Sequence, residues 1–342
     1  MTIEFKKEVG VARLLNPADD FKEKVFSMEF RTDPLTKDTG TVAEFRLRKS
    51  EKADLPQLVA KSLEMPCPFC PEAVDKATPK FLPDFCPEGR IQFGEALVFP
   101  NALPLMPYSA VAVLTSKHFV GLAEFTVGML ADAFLASQAY FKIILGDDPE
   151  AKYYYVMWNC MPPANSSQIH PHLQLIAGYF PLAYHENLVE ASRKYHNENG
   201  RNYWADFVAE EKRLRQRYIA AVGNTDWLTS FVPRAPQLDI MAVFTAGRPF
   251  LSLPREDIES FCQGLTKIFK YMEDQDFYSF NLCLYSGVPG EDSFWTQARI
   301  IQRGTLLSMG ISDIGNMQLL LDTRPCFRYP ESVCRELKGY FI

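Results

Sequence analysis

The stretch that decides the fold is His170-Pro171-His172-Leu173-Gln174-Leu175-Ile176-Ala177. In an extended segment, alternate side chains point to opposite faces, so His170, His172 and Gln174 share one face. The residues pointing the other way reach an apolar core. Only five histidines occur in 342 residues, and two of them sit here. A lone histidine is more often a surface or hydrogen-bonded core residue than a functional one. Two of them one residue apart beside a glutamine point to a site.

Upstream, Cys67-Pro68-Phe69-Cys70 has the two-residue gap that lets both thiolates bind one tetrahedral zinc ion. A CxxC pair alone equally fits a redox couple. A thioredoxin-like couple belongs in a strand-to-helix turn, however, and Pro66, Pro68 and Pro71 favour a knuckle-like loop here. Zinc requires two further ligands. His118, at the end of a predicted strand, closes such a site with His170 as a Cys2His2 structural shell. His172 then stays free on the same strand face. A neutral imidazole of ordinary pKa, near 6.5, is competent as a nucleophile toward phosphorus without a separate base.

Around this centre, Ile91 to Phe99 and Ser109 to Thr115 are apolar, β-branched runs separated by the Pro100 to Pro107 loop, which predicts paired strands. From Leu122 to Leu145 apolar residues recur every three to four positions, which predicts a core-facing helix. Tyr153 to Asn159 and His172 to Gly178 read as strands flanking the loop Met161 to Ser167, whose small polar residues offer hydroxyls and N–H groups to phosphate. Asn187 to Ala221 reads as one long amphipathic connecting helix. Beyond it, Leu238 to Phe244 (strand), Arg255 to Met272 (helix), Phe280 to Tyr285 and Ala298 to Ile301 (strands) repeat the first half's order, which predicts an internal duplication. Residues 1 to 60 are polar and charged. Within them, Thr41 to Arg48 alternates like a half-buried strand with Arg46 and Arg48 on one face.

With 47% apolar and 23% charged residues, the chain has a globular composition and a length sufficient for two domains. A net charge of −6 and a pI of 5.5 argue against a nucleic-acid partner, while a local basic pocket for a phosphorylated small molecule is compatible with them. No run approaches the roughly 18 to 20 apolar residues of a membrane span, and the first residues lack a signal-peptide apolar region, so a cytoplasmic protein with no membrane partner is expected. Cysteines at 67, 70, 86, 160, 262, 283, 326 and 334 are then expected as free thiols and metal ligands.

These residues resemble the galactose-1-phosphate uridylyltransferase branch of the histidine-triad superfamily: a CxxC at Cys67 and Cys70, a downstream zinc histidine at His118, and an HPHxQ signature at His170 to Gln174. The family's asparagine and serine ahead of that signature fall without gaps on Asn159 and Ser167. The resemblance implies an α+β fold of two tandem histidine-triad-like domains, each a mostly antiparallel sheet with packed helices. The first, 1–200, would be catalytic and carry the zinc site; the second, 201–342, would be a degenerate substrate-binding domain.

The resemblance further implies a ping-pong nucleotidyl transfer, with UMP moving from a nucleotide sugar to a sugar 1-phosphate. His172 would attack the α-phosphorus, and Gln174, Ser167 and Asn159 would hydrogen-bond the phosphoryl oxygens. A structural Zn2+ would sit on Cys67, Cys70, His118 and His170. Asn101 would contact the nucleotide, Arg46 and Arg48 the phosphates, and the chain would form a homodimer. ADP-sugar and dinucleoside-polyphosphate phosphorylases share the nucleophile but use inorganic phosphate as acceptor. A zinc-stabilised nucleotide-binding protein without catalysis is the alternative from another class. Two departures stand out. Phe294 to Ile300 contains no histidine where better-known relatives place a second metal pair, so no second metal is expected. The family's hexose-reading Gly-Tyr-Glu run corresponds to Gly315-Asn316-Met317, or to Gly310 and Asp313, without its glutamate.

Overall fold

The computed structural model describes residues 3–47, 53–306 and 311–342. The chain opens with a hairpin, β1 (Lys6–Asn16) and β2 (Lys22–Thr32), followed by β3 (Thr39–Val42), α1 (Leu55–Ser62) and α2 (Val74–Ala77). The first half then forms β4 (Ile91–Phe93), β5 (Ala96–Pro100), β6 (Tyr108–Val113), α3 (Val127–Asp147), β7 (Tyr153–Cys160) and β8 (His172–Gly178). Two helices, α4 (Ala183–Asn199) and α5 (Tyr203–Leu214), lead to the second half: β9 (Tyr218–Val222), β10 (Thr225–Thr229), β11 (Asp239–Phe244), α6 (Arg255–Asp274), β12 (Phe280–Tyr285) and β13 (Gln297–Gln302). The chain closes with β14 (Thr305–Leu306), β15 (Ile311–Ser312), α7 (Asn316–Leu319), β16 (Thr323–Cys326) and α8 (Pro330–Lys338).

The fold is α+β. Ten strands form one sheet in the order β4-β5-β6-β8-β7-β12-β13-β11-β10-β9, every neighbouring pair antiparallel. Read from its two ends, that order is the same five-strand pattern twice, joined where β7 pairs with β12. The predicted repeat is therefore real in topology, but the halves share one sheet and one core rather than standing apart. The seam has a local two-fold: Met157 faces Cys283, and their outer neighbours are Gln174 and Arg299.

One face of the sheet takes the alternate residues Leu173, Leu175 and Ala177 of β8, Val156 and Trp158 of β7, and Phe280, Leu282 and Leu284 of β12, and buries them under α3 and α6. Trp158 at the seam meets Phe125, Phe269 and Phe280 edge to face at 5.1, 5.8 and 5.0 Å, a geometry favoured by the ring quadrupoles. On α6, a Cβ at Gly264 would lie 2.3 Å from the Trp227 ring, so only glycine lets this helix close on β10. The opposite face carries His172 and Gln174, and over the second half its Leu228, Met241 and Val243 are covered by Leu188, Trp204 and Phe207.

Four features differ from the sequence reading. The strand expected over Thr41 to Arg48 stops at Val42 and turns into a short 3-10 segment, Glu44–Arg46. Its partner β16 ends at Cys326, whose carbonyl takes the Ala43 N–H, and no ladder lies beyond to extend it. Arg48 lies outside the described residues. The long helix over Asn187 to Ala221 is two helices and a strand, because Gly200 adopts φ +64° at the end of α4 and the Asn202 side chain caps α5. α3 starts at Val127 behind the Thr126 cap, with a separate 3-10 turn at Leu122–Glu124. Contrary to the expectation that no run approaches a membrane span, α3 is long and apolar enough to pass that test; it packs on β5 and α6 in the core.

A second, four-stranded sheet, β1-β2-β3-β16, is tied to the second half by buried ion pairs. Arg31, 1% exposed, grips Glu331 of α8 with two 3.0 Å bonds, and Arg217 reaches the same carboxylate at 3.1 Å. Burial pushes the Glu331 carboxyl up, but Arg31 and Arg217 outweigh it and hold it below the ordinary carboxylate range. A carboxylate held low in the folded state contributes stability above its unfolded pKa, and that contribution fades as pH falls through the folded value. Glu331→Gln is therefore expected to cost about 3 kcal/mol at pH 7, because two buried cations lose their shared partner. Urea melts at pH 7 and pH 3 check this: the gap between variant and wild type should narrow at the lower pH.

Candidate functional site

β8 begins at His172, opposite Val113 of β6, and continues through Gln174, opposite Val111 on one side and Met157 on the other. His170 lies just ahead of the strand and is fully buried. The loop holding Cys67 and Cys70 folds over this strand start. The ligand atoms of Cys67, Cys70, His118 and His170 lie within 4.8 Å of one another. Cys67 Sγ and Cys70 Sγ each stand 3.7 Å from His170 Nδ1, and Cys70 Sγ stands 3.3 Å from His118 Nδ1. Such a donor set could hold a metal ion.

Hydrogen bonds fix which imidazole nitrogen each histidine offers. His170 Nε2 is 2.8 Å from the Thr115 carbonyl, which only accepts, so Nε2 carries the proton and Nδ1 keeps its lone pair toward the thiols. His118 Nε2 is 2.9 Å from Ser62 Oγ, whose own proton goes to the Val59 carbonyl at 2.7 Å. The serine therefore accepts from Nε2, and His118 Nδ1 is likewise free. Both rings are held as metal ligands usually are, by an outer partner on the far nitrogen. Burial pushes His170 down to about 4, which keeps it neutral and able to coordinate. Burial, and then the neighbouring Cys67, push the Cys70 thiol up to about 12. A cation bound by Cys67, Cys70, His118 and His170 would supply the charge that makes both thiols thiolates, and these residues fit a tetrahedral Cys2His2 ion.

His172 is poised the other way round. Its Nδ1 donates to the His170 carbonyl at 2.8 Å, leaving Nε2 with the lone pair, and Nε2 makes no hydrogen bond among the described residues. Burial lowers its pKa, with the His170 carbonyl acting in the opposite sense, so the ring is neutral at pH 7. Phe69, between the two cysteines, stands edge-on to His172 at 5.1 Å and to His170 at 6.1 Å. The loop of Cys67 and Cys70 thereby packs against His172 through Phe69.

Two cavities flank this row. One of 810 Å3 is lined by Phe69, Val74, Arg90, Leu97 and Val113. The other, of 280 Å3, lies over the seam and is lined by Met157, Asn159, Arg234, Asn281, Cys283 and Arg299. Asn159 is on β7; continuing the Met157–Gln174 register by two residues sets it abreast of His172. Ser167 is exposed on the loop between β7 and β8. Asn101 follows β5, and its side chain accepts from the Leu103 N–H at 3.0 Å, which makes it a turn residue in this structure. The Arg46 guanidinium sits 5.6 Å over the Phe327 ring, on the four-stranded sheet, with no contact to the His172 row among the described residues. Gly310 lies outside the described residues.

Several contributors escaped the sequence reading. Ser62 and Thr115 orient the histidines and carry no motif. Asn281 bonds Asn159 across 122 residues of chain, and Arg303, 22 residues further on, bonds Asn281. Only the seam register, obtained by laying the two repeats side by side, would have found them. At the repeat position matching His172, two residues back along β13 from Arg299, stands Gln297. Arg299 is held by Asp239 at 2.7 Å and by Ser230 and Tyr184, so its charge is spent inside the fold.

No family model matches this sequence. An uncharacterized protein of Archaeoglobus fulgidus is 29% identical over 341 residues, 98% of each chain. Among solved structures, a galt-like protein from Arabidopsis thaliana matches with a TM-score of 0.70 at 15% identity, covering 91% of this chain and 98% of that one. An ADP-glucose phosphorylase from Arabidopsis thaliana, solved with bound ADP-glucose, matches with a TM-score of 0.71 at 14% identity over the same shares. A uridylyltransferase matches with a TM-score of 0.67 at 16% identity, covering 91% of this chain and 97% of that one. This chain shares their fold.

Proposed function

We propose that the chain is a nucleotidyltransferase that works through a nucleotidyl-histidine on His172. The observation that carries this reading is the Nδ1–H bond from His172 to the His170 carbonyl, which leaves Nε2, on a largely buried ring, with an open lone pair as the nucleophile. Nε2 attacks the α-phosphorus of a nucleotide sugar. A P–N bond forms, the bond from phosphorus to the bridging oxygen breaks, and the sugar 1-phosphate departs. No proton moves in this step: the ring becomes cationic, and the His170 carbonyl stabilises that charge through Nδ1–H. In the second half-reaction an oxygen of the acceptor phosphate attacks the same phosphorus and returns His172 to its neutral form.

Gln174, Asn159 and Ser167 donate to the phosphoryl oxygens as charge shifts between them. The 810 Å3 cavity takes the nucleoside, Asn101 in the turn after β5 contacts the nucleotide from outside that cavity's lining, and the 280 Å3 cavity takes the departing or arriving phosphate compound. Residues 1–200 supply the nucleophile and metal ligands, and residues 201–342 the second wall. Cys67, Cys70, His118 and His170 would hold a zinc ion, whose role is to fix the loop against the start of β8; a closed four-ligand shell offers no reactive position.

The fold likeness to a uridylyltransferase and to an ADP-glucose phosphorylase names the two donors to try, UDP-glucose and ADP-glucose, and the two acceptors, a hexose 1-phosphate and inorganic phosphate. The test is to incubate the protein with each α-labelled donor alone. Protein-bound label that is stable to base and lost in acid, as a P–N bond requires, is the expected result. Adding each acceptor in turn then shows which one discharges the label. Absence of bound label with either donor, with nucleotide binding intact, would instead favour a non-catalytic binding protein.

A further inference from the structure

We infer that Arg303 and Asn281, both from the second half, are positioning residues that force Asn159 to present its amide N–H2, and not its oxygen, to the reacting phosphoryl group. This rests on the transferase reading of His172, and it specifies which half of the molecule arms the site.

An asparagine amide has a donor end and an acceptor end of nearly equal shape, so its orientation must be set by its neighbours. Arg303 can only donate, and its Nη1 stands 2.7 Å from Asn281 Oδ1. On its other side, Asn281 Nδ2 is 2.9 Å from the Ala164 carbonyl, which can only accept. Both neighbours fix the same orientation. Asn281 Nδ2 therefore gives its second proton to Asn159 Oδ1, at 2.7 Å. With its oxygen taken, Asn159 is left with Nδ2, which makes no hydrogen bond among the described residues and lines the 280 Å3 cavity abreast of His172.

Arg303 is itself anchored. Its Nε and Nη2 clasp Asp313 at 2.9 to 3.1 Å, and Asp313 also accepts the Gly304 N–H at 3.0 Å. The relay Asp313–Arg303–Asn281–Asn159 thus starts at a buried ion pair and ends in the site. A phosphoryl oxygen repels a carbonyl oxygen and attracts an N–H, so without Arg303 the Asn281–Asn159 pair is held only by the Ala164 carbonyl, and Asn159 Nδ2 is no longer firmly presented to the phosphoryl group.

The test is a double-mutant cycle. Arg303→Met is expected to lower kcat by about 10- to 30-fold with KM changed less than about threefold, a part of the roughly 10²- to 10³-fold loss typical of removing one such donor outright. Arg303→Lys, which keeps a donor, should recover to within about fivefold of wild type. In an Asn159→Ala background, Arg303→Met should cost less than about twofold, because the group it acts through is gone. An equal loss in both backgrounds would mean that Arg303 is merely structural and overturn the relay. A readout without activity closes the test: neutron diffraction of the deuterated wild-type protein should show two deuterons on the Asn159 atom facing the cavity. A bare oxygen there overturns the relay even in an active enzyme. If the wild-type protein never takes up nucleotide, the transferase reading fails, and the neutron result still decides the relay.

Discussion

Replacing His172 by glycine is expected to lower nucleotidyl transfer by about 10^4-fold or more, the scale seen when a covalent nucleophile is removed, while leaving the fold and the metal content of wild type. The effect is large because no other group can substitute. His170 and His118 have their Nδ1 lone pairs turned toward the cysteines, and the matching position of the second half is Gln297. The fold is expected to survive because the His172 ring's one hydrogen bond among the described residues goes to its own chain, and β8 is held in the sheet by its main-chain ladders to β6 and β7. Circular dichroism, a thermal melt and a metal assay on the same sample check the second half of the prediction. Equal losses of folding and transfer would make His172 a structural residue and remove the proposed mechanism.

Cys67→Ser is expected to do the reverse. A hard hydroxyl is a poor zinc ligand, so metal content should fall to about a tenth of wild type or less. The loop from Cys67 to Cys70 has little else to hold it: it is short, proline-rich and packed mainly through Phe69 on Phe99 and the two histidines. His170 would then be buried without the ion its Nδ1 faces. A drop of roughly 5 to 10 °C in Tm is expected, less than loss of a whole zinc-finger fold because the ten-stranded sheet remains. Transfer should also fall, as Phe69 no longer presses on His172. Incubating wild type with a strong chelator should reproduce the same melt. A variant with full metal and an unchanged melt would remove Cys67 from the ligand set.

What was legible in the sequence and what was not divides by range. The His170-x-His172-x-Gln174 row was legible because a strand's two-residue period is written directly in the order of residues. The helix under it, α3, was legible from its apolar spacing alone. The connecting segment misled because a charged, amphipathic run hides its breaks; Gly200 and Asn202 were the stop and start signals, two residues apart. The alternation of Thr41 to Arg48 predicts a strand through Arg46, but alternation needs a partner strand, and β16 ends at Cys326. The β1–β2 hairpin was missed for a related reason. Val9, Val11, Leu15 and Val25 are all more than half exposed, so no buried face writes a period into that segment. The Asn281 and Arg303 contacts depend on the seam register, which no local pattern carries.

The seam also bears on how such a chain comes to exist. A protein made of the first half alone would leave β7 as an open edge in the middle of its core, and the simplest cover for that edge is another copy of itself in the same register. Such a self-paired ancestor would carry two reactive histidines, one on each side of the axis. Once the copies were fused, either could drift without unzipping the sheet, because hydrogen bonds between main chains, and not the histidine, hold β7 to β12. Gln297 stands where that second histidine would have been, while the second half still closes the sheet at the seam and braces Asn159 through Asn281.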